Sequence, residues 1–359
     1  MNALAHASTR RPLDTALHRR SAAAVLGVLL VLSTVFAISA GATSFSASET
    51  MRFLTAAITG GSIDADDHTA YTVVWDIRTP RVLLAAIVGA GLGLLGVATQ
   101  AMVRNALADP FILGVSSGAS VGASAVVSLG LFAGLGMYAL SAAAFLGALA
   151  ASAAVHLCAR SNGGVAPMRL VLTGVVLAYG FQSLMSLIVF VEPRGDAART
   201  VMFWLMGSLG AAAWSAVPVA AAALVFVAVW LGRHADGLDV MALGDATAHS
   251  SGVDCDRLRL RLFVLTAVGT GALVAVSGAI GFVGLVVPHV VRLVVGPRHR
   301  AVLTLAPLVG ALFLVWVDLL SRVLVPPREL PLGVMTAVIG VPVFLHLIRR
   351  RAYTFGGSR

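Results

Sequence analysis

The sequence predicts an all-α, polytopic membrane protein with about ten transmembrane helices. Hydrophobic residues make up 58% of the 359 residues, and charged residues make up only 11%. Soluble domains carry about 25% charged residues, so this composition excludes an ordinary soluble fold. Ten apolar segments approach or reach the length that crosses a hydrocarbon core of about 30 Å. They span residues 22–42, 80–103, 109–132, 135–158, 168–191, 213–232, 260–278, 280–296, 301–322 and 332–348.

The arginines predict the orientation of these spans. The chain has 25 arginines and no lysine, and 17 of them fall in the termini and the even-numbered connections. Arg292 lies inside the eighth span, and the other seven lie on the opposite side: Arg52, Arg78, Arg81, Arg194, Arg199, Arg322 and Arg328. Because cytoplasmic loops carry the excess of basic residues, we expect cytoplasmic tails at 1–21 and 351–359. The net charge of +9 favours anionic membrane lipid as a partner and not nucleic acid.

The first span has two interpretations. Arg19 and Arg20, the apolar core and the small residues 39–42 are also features of a cleaved signal peptide. The segment is long enough to remain as an anchor, however, and we expect it to stay. The chain then forms a single transmembrane domain over residues 22–350.

The second span carries the clearest local signals. Thr79 and Pro80 fit an N-cap and a first helical position. Gly89 and Gly93 form a small-xxx-small pair that allows close helix packing. A polar hinge at 105–110 follows the span and leads into a Gly/Ser-rich third span.

A later segment, GAIGFVGLVVPHVVRLVVG at 278–296, has related features. Glycines at 278, 281 and 284 predict a smooth packing face, and Pro288 breaks the helical hydrogen bonding. Segments 88–96 and 268–278 are weakly similar and run in opposite directions, which is compatible with an inverted repeat around a central path. His289 could be a haem or iron ligand, although a structural histidine is the better interpretation.

Residues 233–261 form the longest predicted cytoplasmic connection. Leu238, Met241, Ala242 and Leu243 give a short apolar face, Gly244 can end that turn, and Asp245 can cap the next. We therefore expect two short helices here. On the outer side, 196–209 predicts an amphipathic interfacial helix, and the acidic segment 43–77 predicts a solvated loop.

Several of these motifs resemble one protein family. The string from Arg78 to Gly118, the segment 278–296 and LDVMALGDATAHSSGVD (238–254) closely resemble the FecCD-type permeases, which are membrane subunits of bacterial ABC importers for iron-siderophores, haem and vitamin B12. The resemblance implies the type II ABC importer permease architecture in the bacterial cytoplasmic membrane. It also implies two ATPase subunits, an extracytoplasmic substrate-binding protein, and a second permease copy or paralogue that completes the transport path.

The resemblance also implies roles for individual residues. Segment 238–254 would dock on the ATPase through Leu238, Met241, Ala242, Leu243, Gly244 and Asp245. Asn105 and Leu107 match the inner gate, although Asn105 could simply cap the hinge. Arg78, Arg81 and Arg322 match the residues that receive acidic side chains of the binding protein; anchoring at lipid headgroups, or pairing with Asp76 and Asp318, is the alternative.

The sequence argues against enzymatic activity. Phosphate-binding, zinc and acid–base motifs are missing, so we expect no catalytic residues, no metal site and no cofactor. Ferric siderophore is the expected cargo, with haem and cobalamin as alternatives. An ion-coupled secondary transporter is the rival class, and Asp318 is the one acidic residue near the middle of a late span that could serve it.

Overall fold

A computed structural model describes residues 16–41, 43–160, 166–191 and 196–350. The helices in these ranges are α1 (Ala16–Ser39), α2 (Ala47–Thr59), α3 (His68–Thr72), α4 (Thr79–Val103), α5 (Val115–Leu129), α6 (Ala139–Ala159), α7 (Pro167–Val191), α8 (Asp196–Leu205), α9 (Ala216–Ala242), α10 (Asp245–Ser250), α11 (Cys255–Ser277), α12 (Val283–Val295), α13 (His299–Val323) and α14 (Leu332–Arg350). Short 3-10 helices occupy Ala65–Asp67, Pro110–Leu113 and Ala133–Tyr138, and a π-helical turn occupies Val73–Arg78.

Ten of these helices correspond to the ten predicted spans. Among the described residues, seven helices are long and apolar enough to cross a membrane, and three further apolar helices are shorter. The long ones include α1, α4, α6, α7, α9, α11 and α13, and the shorter ones are α5, α12 and α14. The prediction of an all-helical, polytopic membrane protein is confirmed.

The α4 helix lies at the centre of the bundle. It contacts α9, α11, α12 and α13. Of the most apolar stretch within Ala65–Val103, 83% is buried. Glycine makes these contacts close: a Cβ atom added at Gly89 would overlap the carbonyl oxygen of Gly310 on α13, and one at Gly96 would overlap that of Gly284 on α12. Helices in membranes associate through small residues of this kind because the lipid supplies no hydrophobic driving force between them.

The chain breaks its helical path after α4 and again after α11. The first break contains the left-handed Arg104 (φ 53°) and Gly114 (φ 75°), and the second contains the left-handed Phe282 (φ 68°). A Cβ atom added at Gly284 would lie 2.7 Å from Cδ of Pro110, so the two breaks pack against each other. The third span consequently begins at Val115 and not at the predicted residue 109.

The three glycines expected to form one smooth face are not equivalent. A Cβ atom at Gly278 would clash with the Trp204 backbone oxygen, and one at Gly284 would press on Pro110. A Cβ atom at Gly281, by contrast, would meet open space. Only the outer two positions of the triplet therefore require glycine for close packing.

The helix of the second span does not start at Thr79. Helical backbone begins earlier, in α3, and continues through the π-helical turn Val73–Arg78 into α4. The Thr79 hydroxyl donates to the Val74 carbonyl oxygen at 2.7 Å and does not cap a helix start. The predicted N-cap is therefore wrong, because the preceding residues already supply the helical turn that a cap would replace.

The predicted end of the sixth span is also wrong. The α9 helix runs ten residues beyond residue 232 and ends at Ala242. Leu231, Ala235 and Leu238 are at most 1% exposed, and their spacing of four and three residues continues one buried helical face. The first of the two short helices expected in 233–261 is thus the end of α9, and α10 is the second.

Two connecting segments that were predicted to lie on the outer side are helical. The predicted interfacial helix is present as α8, with Met202 and Phe203 exposed. In 43–77, α2 begins with a reciprocal capping box between Ser46 and Glu49, and the Ser46 hydroxyl and amide hydrogen bonds lower the pKa of Glu49. The expected solvated loop is therefore a short helical subdomain.

Candidate functional site

A fully buried carboxylate organises one end of the bundle. Asp318 on α13 is 0% exposed. Its Oδ1 accepts a hydrogen bond from Nε of Arg81 at 2.8 Å, and its Oδ2 accepts one from Nε of Arg322 at 3.1 Å. Burial of an unpaired carboxylate is very costly, and the two guanidinium groups supply the opposite charge and the hydrogen bonds that offset this cost.

Each of the two arginines has further partners. Nη1 of Arg81 donates to both carboxylate oxygens of Glu329, at 2.8 and 2.9 Å. The Glu329 side chain is 42% exposed, and it is the one member of this cluster that reaches the surface. Arg322 donates to the backbone oxygens of Ala37 at 2.9 Å and Ala40 at 3.1 Å.

Arg78 binds the same end of α1. Its Nη1 donates to the carbonyl oxygens of Ile38 at 3.1 Å and Ser39 at 3.0 Å, and its Nη2 donates to Thr43. The last carbonyls of a helix have no partner inside the helix, and cations near them are favourable. Arg78 and Arg322 therefore cap the carboxyl end of α1 together. Of the small-residue run 39–42, Ala42 lies outside the described residues.

The structure buries the three arginines that were expected to form exposed basic patches. Arg78, Arg81 and Arg322 are only 6%, 5% and 8% exposed, and each uses its guanidinium nitrogens on internal acceptors. The alternative of pairing with Asp318 holds for Arg81 and Arg322, whereas Arg78 pairs with backbone. The physical reason is the set of acceptors nearby, namely one buried carboxylate and the open carbonyls of α1.

The hinge after α4 is held by its own polar groups. Arg104 ends the helix in the left-handed region, and the Asn105 amide donates to the Gln100 carbonyl at 3.1 Å. The Asn105 side-chain oxygen accepts from the Leu107 amide at 2.9 Å. Asn105 is exposed and Leu107 is half-buried, so Asn105 caps the hinge and both residues lie near its surface.

A buried polar contact joins α4 to α12. Nε2 of Gln100 on α4 donates to the Leu285 carbonyl at 3.2 Å, and its Oε1 accepts from Nη1 of Arg292 on α12. The sequence analysis did not single out Gln100, although a glutamine within so apolar a span is an available signal. Arg292 was noted only for its position inside a span.

The residues expected to face an ATPase divide into two groups. Leu238 and Met241 are 0% exposed and belong to the core, so they support the segment from inside. Ala242, Leu243 and Asp245 are exposed, with Leu243 at 70%. The apolar surface available to a partner is therefore smaller than the sequence suggested.

Two arginines fix the start of α10. The Asp245 carboxylate lies 2.9 Å from Nη2 of Arg259 on α11 and 3.4 Å from Nη1 of Arg104. Gly244, just before it, has φ 108°, a conformation that glycine adopts without strain. Asp245 is the first residue of α10 and does not cap it. It ties α10 to α11 and to the hinge after α4.

Among the described residues, His289 belongs to no cluster of metal-ligating side chains. That side chain is buried, at 6% exposure. Within the described ranges, no three His, Cys, Asp or Glu side chains are grouped so that they could hold a metal ion. The two cysteines, Cys158 and Cys255, are both free.

Comparison with known proteins identifies the family to which this architecture belongs. A sequence model of the FecCD transport family matches residues 29–350. The chain belongs to the FecCD transport family. A solved structure described as an inward-facing metal-chelate type ABC transporter superposes on this FecCD permease with a TM-score of 0.80 at 30% identity, covering 92% of this chain and all of the other.

Two curated relatives cover most of the FecCD permease. The cobalamin import system permease protein BtuC of Halobacterium salinarum is 42% identical over 284 residues, which are 79% of this chain and 75% of BtuC. The Fe(3+) dicitrate transport system permease protein FecD of Escherichia coli is 41% identical over 284 residues, 79% of this chain and 87% of FecD. The FecCD permease is thus a multi-pass membrane subunit of an ABC importer, not an enzyme, and ATPase partners are expected.

Removal of the Asp318 charge tests the buried cluster. The Asp318→Asn variant leaves Arg81 and Arg322 without their shared counter-charge, and the loss of one partner from a buried ion pair costs about 3–5 kcal/mol. We expect a large drop in thermal stability of the detergent-purified chain. Asp236→Asn is the matched control, because Asp236 pairs with Arg300 at an exposed site and should change stability little. Equal, small effects of the two substitutions would contradict the role given to Asp318.

Proposed function

We propose that this chain is the permease of an ATP-driven importer that moves ferric siderophore across the cytoplasmic membrane by alternating access at a permease dimer interface. The observation that carries the proposal is the pair of backbone breaks after α4 and α11, which pack on each other at Pro110 and Gly284. Irregular backbone at membrane depth is tolerated where protein or a transport path surrounds it. The likeness to the inward-facing ABC transporter supports the same assignment.

Iron in chelated form is the proposed cargo. The relative FecD is named for Fe(3+) dicitrate transport, and the superposed structure is described as a metal-chelate type transporter. Haem and cobalamin are the alternatives, and BtuC is named for cobalamin import. An extracytoplasmic binding protein would deliver the cargo to the end of the bundle that carries Glu329.

The proposed orientation places both termini in the cytoplasm. The excess of arginine at that end supports it. In this orientation α10 and the hinge after α4 face the ATPases, and the ionic cluster of Asp318 faces outward. Asp318 pairs with two arginines, so its carboxylate is already bound inside the fold and offers little support for ion-coupled secondary transport.

Uptake measurements test the cargo and the energy source together. In cells that lack iron-chelate import, the chain expressed with its ATPase and binding protein should accumulate radiolabelled iron supplied as ferric siderophore. Uptake should fall to background when the ATPase carries a catalytic substitution. Cobalamin or haem uptake without iron uptake would instead favour an alternative cargo. Transport by vesicles that contain only the purified permease would overturn the ATP-driven mechanism.

The exposed surface after α9 should carry the ATPase contact. Ala242→Arg places a guanidinium on that surface, and an interfacial charge left without a partner costs about 2–5 kcal/mol. Since 1.4 kcal/mol is a factor of ten, we expect uptake to fall by about tenfold or more while the permease still folds. Ala242→Ser is the control at the same position and should retain uptake. Normal uptake and complex assembly in a well-expressed Ala242→Arg variant would remove this assignment.

The hinge after α4 is the proposed inner gate, formed by Asn105 and Leu107 from each permease copy. In a background with both native cysteines replaced by serine, Leu107→Cys should cross-link to its counterpart in the resting complex, and ATP should change the yield. Leu107 contributes its backbone amide to the Asn105 contact, so the cysteine keeps the hinge intact. The cysteine-free chain is the control. If neither Leu107→Cys nor Asn105→Cys cross-links in any nucleotide state, the gate is elsewhere.

A further inference from the structure

A cavity lined by three arginines lies between the ends of α6, α7 and α11. Its volume is about 240 Å³. The polar part of its wall is formed by His156 and Arg160 near the end of α6, and by Asp256, Arg257 and Arg259 at the start of α11. Three arginines line this wall, and aspartates pair with two of them: Arg257 with Asp254 at 3.0 Å, and Arg259 with Asp256 and Asp245. Arg160 adds a positive charge for which the described residues show no ion pair, so the wall can receive an anion.

Two nitrogen atoms at this cavity are buried and have no hydrogen-bond partner in the described part of the chain. The Arg259 side chain is 5% exposed. Its Nη1 binds Asp256 at 3.1 Å and its Nη2 binds Asp245 at 2.9 Å. Among the described residues, however, neither Nε of Arg259 nor Nδ1 of His156 has a hydrogen-bond partner. Nε of Arg259 is always a donor, and a buried donor without an acceptor is unfavourable. An oxyanion that reaches it would supply the acceptor, whereas Nδ1 of His156 donates or accepts according to its tautomer.

The rest of the cavity wall is apolar. Leu170 on α7, Leu260 on α11 and Phe263 on α11 line it, and the Phe263 ring lies 5.2 Å from the His156 ring. The flanks continue this apolar surface, because Leu157 and Met168 are each 69% exposed. A ligand that matches both parts has an anionic head and a hydrocarbon tail.

We propose that this cavity binds an anionic phospholipid, with the phosphate at Arg160, Arg257 and Arg259 and an acyl chain along Leu260 and Phe263. Basic pockets between transmembrane helices bind lipid headgroups in this way. The guanidinium fork suits phosphate oxygens. A free phosphate ion would satisfy the arginines but would leave the apolar wall and its exposed flanks uncovered.

The site is connected to the start of α10. Arg259 lines the cavity and also binds Asp245, so the phosphate and the Asp245 carboxylate share one guanidinium. A bound lipid therefore lies one side chain away from the segment proposed to contact the ATPase. The lipid site itself does not depend on that proposal, because it rests on the cavity, its charge and its apolar wall.

Native mass spectrometry of the purified full-length chain tests the site. Phosphatidylglycerol and phosphatidylcholine with the same acyl chains are titrated separately. The pocket variant is Arg160→Gln with Arg257→Gln, both at exposed positions, so the buried Arg259 is left intact. The control is Arg298→Gln with Arg300→Gln, two exposed arginines at the α13 start that do not line the cavity. Both variants remove two positive charges.

We expect the unmodified chain to prefer phosphatidylglycerol to phosphatidylcholine. The pocket variant should bind phosphatidylglycerol about tenfold more weakly, since each basic residue near anionic lipid contributes on the order of one tenfold step or somewhat less. The control should stay within about twofold of the unmodified chain. An unchanged pocket variant, or equal losses in both variants, would overturn the proposal. Displacement of phosphatidylglycerol by an equal concentration of inorganic phosphate would overturn the lipid assignment in favour of a free-phosphate site.

Discussion

The packing of α4 against α12 and α13 depends on contacts between backbones with little side chain in between. A membrane interior offers no water to backbone polar groups, so the helices must satisfy their own hydrogen bonds and gain stability from close packing. Gly89 meets Gly310, and Gly96 meets Gly284. The positions of α12 and α13 are thus set by α4, and the two backbone breaks are held together as a consequence.

The end of the bundle that carries Asp318 obeys an electrostatic constraint. Asp318 is shielded from solvent and sits between two guanidinium groups, and Arg78 completes the cap on α1. Three of the positive charges at this end, those of Arg78, Arg81 and Arg322, are therefore used inside the fold. A sequence shows that arginines are present in an unexpected place, but it does not show whether their acceptors belong to a partner or to the same chain. Here Glu329, which the sequence analysis passed over, is the surface-accessible acid of the cluster.

The ten spans could be predicted because hydropathy and length are properties of continuous segments. The ends of the spans were harder to predict where a helix continues beyond the apolar segment. The α9 helix passes through Arg233 and His234, which suggested a loop, while Leu231, Ala235 and Leu238 continue its buried face. The hinge at Asn105 was predicted, because an Asn-to-amide contact is local. The contact between Gln100 and Arg292 was not, because it joins residues 192 positions apart.

The continuity of α9 has a mechanical consequence. At 1.5 Å per residue, its 27 residues make a rod about 40 Å long that packs against α4 and ends at an exposed surface. Because Leu238 and Met241 are buried, the last turns of α9 pack tightly against the rest of the protein. We therefore expect a displacement applied to Leu243 to reach the centre of the bundle along this rod, and one applied to α10 to reach α11 and the hinge after α4 through Asp245.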